Sequence, residues 1–391
     1  MRLGKYRVML SLGLVTLLVT LLLVWHPFKP RESASLLIWT TRGVPELQLL
    51  AREYQQRTGV RVRIEAPADF VARFELLAQQ GQGPDIVIWA HDRFAAWYQA
   101  GLLEPVALNS TGLSGCREEA VSALRQGNSL MGYPLQLETL LLFWNPRLLT
   151  HPPADLTELA TIDTQVPRPL IAWDLTSAYY TWPYITAGAA DVLQAQPGKP
   201  MRLRASHNSE VLQNLSQLQQ GIQQHWLAAD MNYEQIMARF SRGELAMMLG
   251  GPWDRQRLDQ AGIHYRLAAV PALSGRAAQP FFGVIAAGIN SQSQEKMLAR
   301  EFLEQSVLTP HGMAIYRNAK DAGLMACAVP QAASGFENAL ALGIDKGVAM
   351  PGHIAMPLFW NSMQSALSNM FQQRQSAVEA LQGAELRINQ H

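Results

Sequence analysis

Short apolar strands alternate with amphipathic helices from residue 36 to residue 100, and this alternation restricts the fold more than any other feature. The sequence predicts strands at residues 36–40, 60–64 and 85–89 and helices at residues 45–58, 71–80 and 92–100. Strand–helix–strand order predicts a mainly parallel sheet covered by helices, which is an α/β fold. Ligands bind such sheets at the carboxyl ends of the strands, where Trp89, Asp92 and Arg93 lie.

The pattern continues through the rest of the chain, whose 391 residues exceed one average core, so two domains are expected. Further strands are predicted at residues 131–135, 140–144, 171–173, 244–249 and 281–288. The last of these is apolar and glycine-rich, as suits a strand that crosses between domains. Residues 174–183 are predicted to form a polar, aromatic loop, and residues 295–307 and 361–388 to form amphipathic helices.

The N-terminus has the pattern of an export segment. Arg2, Lys5 and Arg7 precede residues 8–25, a run of 18 residues without a charge. Such a run is long for a signal peptide and just long enough to span a bilayer. A cleaved signal peptide and a retained membrane anchor both remain open, and either places the rest of the chain outside the cytoplasm. The absence of a nearby cysteine argues against a lipid anchor.

Charge and cysteine content narrow the class of protein. The formal net charge is +1 and no run of like charge occurs, so nucleic acid is not an expected partner. Cys116 and Cys327 show no metal-ligand spacing. We expect two buried free thiols, with a disulfide as the alternative in an oxidising compartment.

The motifs of common enzyme classes are absent. The sequence has no GxSxG, no HExxH and no glycine-rich dinucleotide turn, so neither a metal nor a cofactor is expected. Asp92 and Glu138 suit an acid/base pair of the kind that glycosidases use, which keeps an enzyme as an alternative. Binding without catalysis is the preferred interpretation.

Aromatic residues at predicted loop and strand-end positions are the remaining candidates for a site. They are Trp89, Tyr179, Tyr180, Trp182, Trp253, Phe359 and Trp360. Several of them neighbour Asp92, Arg93 and Glu138 in the predicted arrangement. The C–H face of a sugar packs on a flat ring, and its hydroxyls pair with carboxylate or guanidinium groups. This combination favours a carbohydrate site.

With these residues the sequence resembles the periplasmic maltose/maltodextrin-binding protein family, the extracellular solute-binding components of ABC importers. The matching segments are LLIW (36–39), GPDIVIWAHDRF (83–94), GLLE (101–104), YPLQLETL (133–140), YTWP (180–183), GGPW (250–253), PFFGVIAAGIN (280–290) and FW (359–360). The resemblance extends from about residue 36 to residue 388. It implies the two-lobed periplasmic binding protein fold, with discontinuous lobes, a hinge and a central ligand cleft.

The resemblance also implies the lobe boundaries. Residues 36–138 and 285–330 form the N-lobe, residues 139–284 and 331–391 form the C-lobe, and residues 1–35 are the signal peptide or anchor. The chain then crosses between the lobes near residues 136–140, 281–286 and 326–333.

The family's sugar site can be carried over residue by residue. By resemblance, the stacking rings are Trp89, Tyr179, Trp253 and Trp360, the hydroxyl partners are Asp92, Arg93 and Glu138, and the cleft-wall residues are Tyr233 and Met350. His91 and Phe94 are assigned to packing.

Several polar residues of the family site are replaced. The loop after residue 39 is shorter and lacks the family's adjacent Asp-Lys pair, whose lysine Arg42 partly replaces. Two family glutamates fall on Val71 and Ser177, and a family arginine falls on Gln364. The stacking platform is kept while several polar contacts are lost, so a sugar other than maltose is a real alternative.

The resemblance therefore predicts a monomeric periplasmic protein, without enzymatic activity, that delivers a maltose- or maltodextrin-like oligosaccharide to ABC permease subunits in the inner membrane. Residues 8–25 provide a possible membrane attachment. The alternative is a membrane-tethered sugar sensor or chemoreceptor-type input protein with altered or degenerate specificity.

Overall fold

The computed structural model describes residues 34–162, 166–196, 198–327 and 333–390. The export segment at residues 8–25 lies outside the described residues, and so does most of the crossing predicted at residues 326–333. Within the described ranges, no helix is long and apolar enough to cross a membrane.

The strands are short, and the longest two are β7 and β14. They are β1 (Ser35–Trp39), β2 (Arg61–Glu65), β3 (Ile86–Ala90), β4 (Val106–Ala107), β5 (Arg125–Gln126), β6 (Ser129–Leu130), β7 (Tyr133–Thr139), β8 (Leu141–Trp144), β9 (Ile171–Ala172), β10 (Leu193–Gln194), β11 (Arg202–Leu203), β12 (Met247–Gly250), β13 (Arg266–Ala268), β14 (Phe281–Ile289), β15 (Leu324–Met325) and β16 (Val348–Ala349).

The helices cover the sheets and form most of the C-terminal part. They are α1 (Val44–Thr58), α2 (Phe70–Gln79), α3 (Phe94–Gln99), α4 (Glu118–Ser122), α5 (Ala178–Ile185), α6 (Ser209–Gln223), α7 (Tyr233–Ser241), α8 (Arg255–Ala261), α9 (Lys296–Phe302), α10 (Pro310–Tyr316), α11 (Gly335–Lys346), α12 (Met356–Phe371) and α13 (Ala377–Asn389). Short 3₁₀ turns span His91–Arg93, Thr111–Leu113, Leu156–Thr161 and Pro252–Asp254, and a π-helical turn spans Leu303–Val307.

A seven-stranded sheet forms the first lobe, in the order β15-β7-β14-β3-β1-β2 with β16 paired to β14. The strand–helix order predicted for the start of the chain is confirmed, because β1 is parallel to both β2 and β3. The expectation of a mainly parallel sheet is wrong beyond these strands. β14 inserts between β3 and β7 and runs antiparallel to both, because it returns to this sheet from the other half of the molecule.

A four-stranded sheet, in the order β13-β8-β12-β9, forms the centre of the second lobe. β7 of the first sheet continues through the single residue Leu140 into β8 of the second sheet. Tyr184 of helix α5 lies in an apolar cluster with the second sheet, and Trp182 lies in a cluster with residues of α12 and α13. These C-terminal helices therefore belong to the same lobe. The sequence positions of the lobe boundaries remain a prediction.

The loop predicted at residues 174–183 is mostly helix α5, so that prediction is wrong. Pro183 lies inside the helix, although proline disfavours a helix interior. Ala178, Trp182 and Ile185 recur at helical spacing and are buried at 3%, 2% and 0% exposure, and the Trp182 ring stacks on Phe281 at 5.3 Å. Burial of this face outweighs the hydrogen bond that proline removes. Phe359 and Trp360 are likewise helical, on α12.

The cysteines form a disulfide, so the preferred expectation of two free thiols is wrong and its alternative holds. Cys116 and Cys327 face each other in an antiparallel bridge with their Cα atoms 3.7 Å apart. Their sequence separation of 211 residues gave no indication of this contact. The bond fastens the end of β15 to the turn that follows Thr111–Leu113.

Candidate ligand-binding cleft

A cleft of about 590 Å³ lies where the two lobes face each other. It collects residues from the ends of β1, β3 and β12, from β7, and from helices α5 and α12. The structure places all nine residues predicted for the site in its lining, namely Trp89, Asp92, Arg93, Glu138, Tyr179, Tyr233, Trp253, Met350 and Trp360. Segments far apart in the sequence therefore converge on one cavity.

The first lobe contributes a wall of charged groups, here called the charged wall, made of Arg42, Asp92, Arg93 and Glu138. Arg42 Nη2 donates to Glu138 Oε2 at 3.2 Å, and Arg93 Nε lies 3.9 Å from Asp92 Oδ2. Burial raises the pKa of Glu138, and the nearby Arg42 guanidinium counteracts this only in part. Burial also raises the pKa of Asp92, against the opposite effects of His91 and Arg93. These carboxyl groups are held in a largely desolvated environment.

The second lobe contributes a wall of rings, here called the aromatic wall, made of Tyr179, Tyr180, Trp253 and Trp360. The Tyr179 ring lies at its centre, 5.8 Å from Tyr180, 6.0 Å from Trp253 and 6.2 Å from Trp360. Trp253 Nε1 donates to Tyr180 Oη at 3.1 Å, which fixes the plane of the indole. Tilted and edge-to-face contacts leave ring faces free for a further partner.

Asp254 anchors the turn that carries Trp253. Its carboxylate accepts from the Gly251 backbone N–H at 2.9 Å and from Tyr233 Oη at 2.5 Å. The side chain is fully buried, and burial raises the pKa of Asp254 to about 6. Tyr233, predicted as a cleft-wall residue, thus lines the cleft and also holds the turn under the Trp253 ring.

Trp89 and Met350 complete the cleft lining predicted from the sequence. The Trp89 ring stacks on Phe70 of α2 with centroids 4.8 Å apart and a 20° angle between planes. Met350 is buried at 5% exposure and lies against Gly283 of β14, where an added Cβ would come within 2.9 Å of the Met350 methyl group.

The two walls touch each other directly. Trp360 Nε1 on the aromatic wall donates to Asp92 Oδ2 on the charged wall at 2.9 Å. The Arg42 guanidinium lies 5.3 Å from the centre of the Trp253 ring, within the range of a cation–π contact.

Comparison with known proteins agrees with this two-lobed architecture. Residues 50–335 match the family described as bacterial extracellular solute-binding protein. The chain belongs to this family. It is 26% identical over 263 residues to the maltotriose-binding protein of Pyrococcus abyssi (strain GE5 / Orsay), a match that covers 64% of this chain and 53% of that relative.

Other relatives are matched over more of their length. The chain of this solute-binding protein is 22% identical over 291 residues to the maltodextrin-binding protein MdxE of Bacillus subtilis (strain 168), covering 70% of this chain and 69% of the relative. It is 24% identical over 316 residues to the maltooligosaccharide ABC transporter solute-binding lipoprotein of Streptococcus pneumoniae (strain ATCC BAA-255 / R6). That match covers 74% of this chain and 73% of the relative. The chain thus spans about half of the first relative and about 70% of the others.

The positions at which this solute-binding protein departs from the maltose-binding pattern also line the cleft. Val71, Ser177 and Gln364 face the cavity where the resemblance places charged family residues. Arg42 lies in the cleft as the comparison with the family's lysine suggested, but it engages Glu138, one of the predicted hydroxyl partners. The cleft therefore offers fewer unengaged charged groups than the family pattern implies.

Asp174 lines the cleft and was missing from the predicted site. It follows β9, and its Oδ1 accepts from the backbone N–H and the hydroxyl of Thr176 at 3.0 and 2.7 Å. Its position just after a short apolar strand was the available signal. The prediction assigned Asp174 to the loop at residues 174–183 and did not include it in the site.

His91 lies directly behind the cleft, where it was expected to pack, and is 1% exposed. The Val284 N–H donates to His91 Nδ1 at 3.0 Å, so Nε2 carries the proton and donates to the Met350 carbonyl at 2.9 Å. The neutral ring thereby connects β3, the central strand β14 and the segment that carries Met350. Burial lowers the pKa of His91, which keeps this arrangement uncharged.

Proposed function

We propose that this protein binds a maltodextrin-type oligosaccharide in the cleft, outside the cytoplasm, and delivers it to an ABC permease. The observation that carries the proposal is the apposition of the aromatic wall and the charged wall across one cavity. A pyranose has an apolar C–H face and a polar rim of hydroxyls, and such a cleft offers a partner to each.

The names of the relatives support the class of ligand. One is called maltotriose-binding and one maltodextrin-binding, and the third is called a maltooligosaccharide ABC transporter solute-binding lipoprotein. The cleft volume of about 590 Å³ lies within the range of small-molecule sites. We therefore assign the nine predicted residues to sugar binding, with Arg42 and Asp174 added.

The departures from the family pattern bear on which sugar binds best. Glu138 is paired with Arg42, and neutral side chains stand at Val71, Ser177 and Gln364. A charge-assisted hydrogen bond contributes about 1.5–3 kcal/mol, and each 1.4 kcal/mol changes affinity tenfold. Losing such bonds leaves stacking as the main contribution, and longer oligosaccharides gain stacking area. We propose that maltose binds weakly and that longer chains bind more tightly.

Isothermal titration of the full-length protein with a maltose-to-maltoheptaose series tests this function. We expect saturable heats whose affinity increases with chain length. Recovery of the sugar unchanged after long incubation would separate binding from a glycosidase reaction at Asp92 and Glu138. An absence of binding below the millimolar range throughout the series would contradict the proposal.

The location and partners are part of the same proposal. We propose a periplasmic monomer that docks on permease subunits of the inner membrane. Residues 8–25 direct its export and, where they are not cleaved, anchor it to that membrane. Cell fractionation combined with intact-mass measurement would locate the protein and show whether that segment is retained. A soluble form that begins near Ser35 would exclude the anchor, and recovery from the cytoplasm would exclude export.

A further inference from the structure

The charged wall and the aromatic wall are joined by contacts between the protein's own side chains. Asp92 follows β3 of the first sheet and Trp360 lies on α12 of the second lobe, 268 residues away, yet they share a hydrogen bond of 2.9 Å. Arg42 follows β1 and meets Trp253, which follows β12. Closing the cleft therefore does not require a bound molecule to bridge the walls.

The hydrogen bond joins groups that are held in place on both sides. Asp92 is 8% exposed and lies beside Arg93. The Trp360 ring is packed among Phe281 at 6.0 Å and Phe359 at 4.9 Å. A hydrogen bond to a carboxylate is stronger where water is excluded and where neither partner loses much freedom in forming it. This bond is thus suited to holding two lobes together.

The second contact is held just as firmly on the first-lobe side. The Arg42 side chain is 15% exposed, and Glu138 accepts from its Nη2. The Arg42 backbone N–H donates to Thr40 Oγ1 at 2.9 Å, which fixes the turn after β1. The ion pair with Glu138 therefore holds the guanidinium near the Trp253 ring.

We propose that the Asp92–Trp360 hydrogen bond and the Arg42–Trp253 contact form a latch that closes the cleft independently of ligand. The cavity of about 590 Å³ exists with both contacts in place, so the latch leaves room for a small ligand. The conformational part of this inference stands apart from the proposed function, and only its kinetic part rests on sugar binding.

A latch of this kind acts on both rate constants of ligand binding. A sugar enters only when the cleft opens, so closure without ligand slows association, and the same contacts slow release. A ring that only stacked on the sugar would change the dissociation rate constant alone. The association rate constant therefore distinguishes a latch from a simple contact residue.

The decisive variant is Trp360→Phe, which keeps a ring at this position and removes the N–H that Asp92 accepts. Trp97→Phe is the matched control, because it also replaces an indole and removes an N–H that donates to a carboxylate. That hydrogen bond, from Trp97 Nε1 to Glu75 Oε1 at 2.8 Å, joins α3 to α2 and does not cross the cleft. Circular dichroism and thermal melting of both variants verify that each is folded.

Interlobe distance is measured in full-length protein without sugar, by double electron–electron resonance. Cysteines for spin labels are placed at the exposed positions Leu76 on α2 and Leu386 on α13, which are 58% and 62% exposed. We expect a predominantly short distance in the parent, and a rise of about five- to tenfold in the ratio of open to closed molecules for Trp360→Phe. Trp97→Phe should resemble the parent. An unchanged distribution in Trp360→Phe would overturn the latch, whether or not any sugar binds.

Stopped-flow measurements with maltoheptaose supply the kinetic part. Trp360→Phe should raise both the association and the dissociation rate constants by several-fold. A change in the dissociation rate constant alone would reduce Trp360 to a stacking residue and overturn the latch. Failure of the parent protein to bind any sugar would count against the proposed function and leave the distance measurement to decide the latch.

Discussion

At the residue scale, the aromatic wall should contribute more to sugar affinity than the neutral side chains that replace charged family residues. Removal of a ring that covers a sugar face costs about 2–3 kcal/mol, which is a loss of 30- to 150-fold in affinity. We expect Trp253→Ala and Trp360→Ala to weaken maltoheptaose binding by this order, and Gln364→Ala by less than fivefold. Titration calorimetry on the three variants measures these losses of affinity. Tryptophan variants that bind maltoheptaose like the parent would contradict the prediction that stacking dominates the affinity.

Gly43 is required by the turn that presents Arg42. Its φ of +56° lies in the left-handed region, and an added Cβ would overlap the buried ring of Tyr316. We expect Gly43→Ala to lower the free energy of unfolding by about 2–4 kcal/mol, from backbone strain and overpacking together. Gly59→Ala is the control, because its φ is +78° but nothing lies within 4 Å, so it should cost only about 1–2 kcal/mol. Equal losses in urea denaturation would refute the packing part.

His91 should make stability depend on pH. Its folded-state pKa is lowered by burial, while the unfolded chain titrates near the usual value of about 6.5. As the pH falls below 6.5, the unfolded state binds a proton that the folded state does not. The free energy of unfolding therefore falls, by at most about 1.4 kcal/mol at pH 5.5. His91→Gln lacks this proton, so its stability deficit relative to the parent should narrow between pH 7.5 and pH 5.5. Neighbouring Asp92 is present in both proteins and largely cancels in this comparison.

At the element scale, the disulfide holds β15 in place beside β7. The backbone agrees with this role, because Ala326 N–H donates to the Leu135 carbonyl and Arg117 N–H donates to the Ala326 carbonyl. Replacing both cysteines by serine should lower the free energy of unfolding by about 2–4 kcal/mol. Denaturation with and without a reductant measures this, and the reductant should affect the parent but not the double variant. A parent that is insensitive to full reduction would contradict the stabilising role.

The elements themselves were predictable where local pattern and tertiary packing agree. The strands and helices from β1 to α3 follow short apolar runs and helical spacing, and the structure reproduces them within a residue or two. Helix α5 was missed because its proline and polar flank suggest a loop, whereas burial against α12 and α13 decides its conformation. The direction of β14 was also missed, because apolar periodicity carries no information about which neighbours a strand pairs with.

At the scale of the whole molecule, the candidate site was predicted through resemblance more than through pattern. Periodicity placed Trp89, Asp92 and Arg93 at a strand end, but only the family motifs connected them with Trp253 and Trp360. The hydrogen bond between Asp92 and Trp360 and the pairing of Arg42 with Glu138 were not foreseen. Such contacts depend on how two lobes approach each other, which no local signal in the sequence records.

The approach of the lobes leads to a prediction about overall dimensions. β7 passes into β8 through Leu140 alone, so a small rotation at this residue moves one wall relative to the other. Saturating maltoheptaose should reduce the radius of gyration, measured by small-angle scattering, because the sugar contacts both walls and favours the closed state. The reduction should be small in the parent, whose latch already closes most of the population, and larger in Trp360→Phe, which starts more open. Equal contraction in both proteins would show that the ligand alone drives closure. If neither protein contracts although binding is measured, the hinge at Leu140 is excluded.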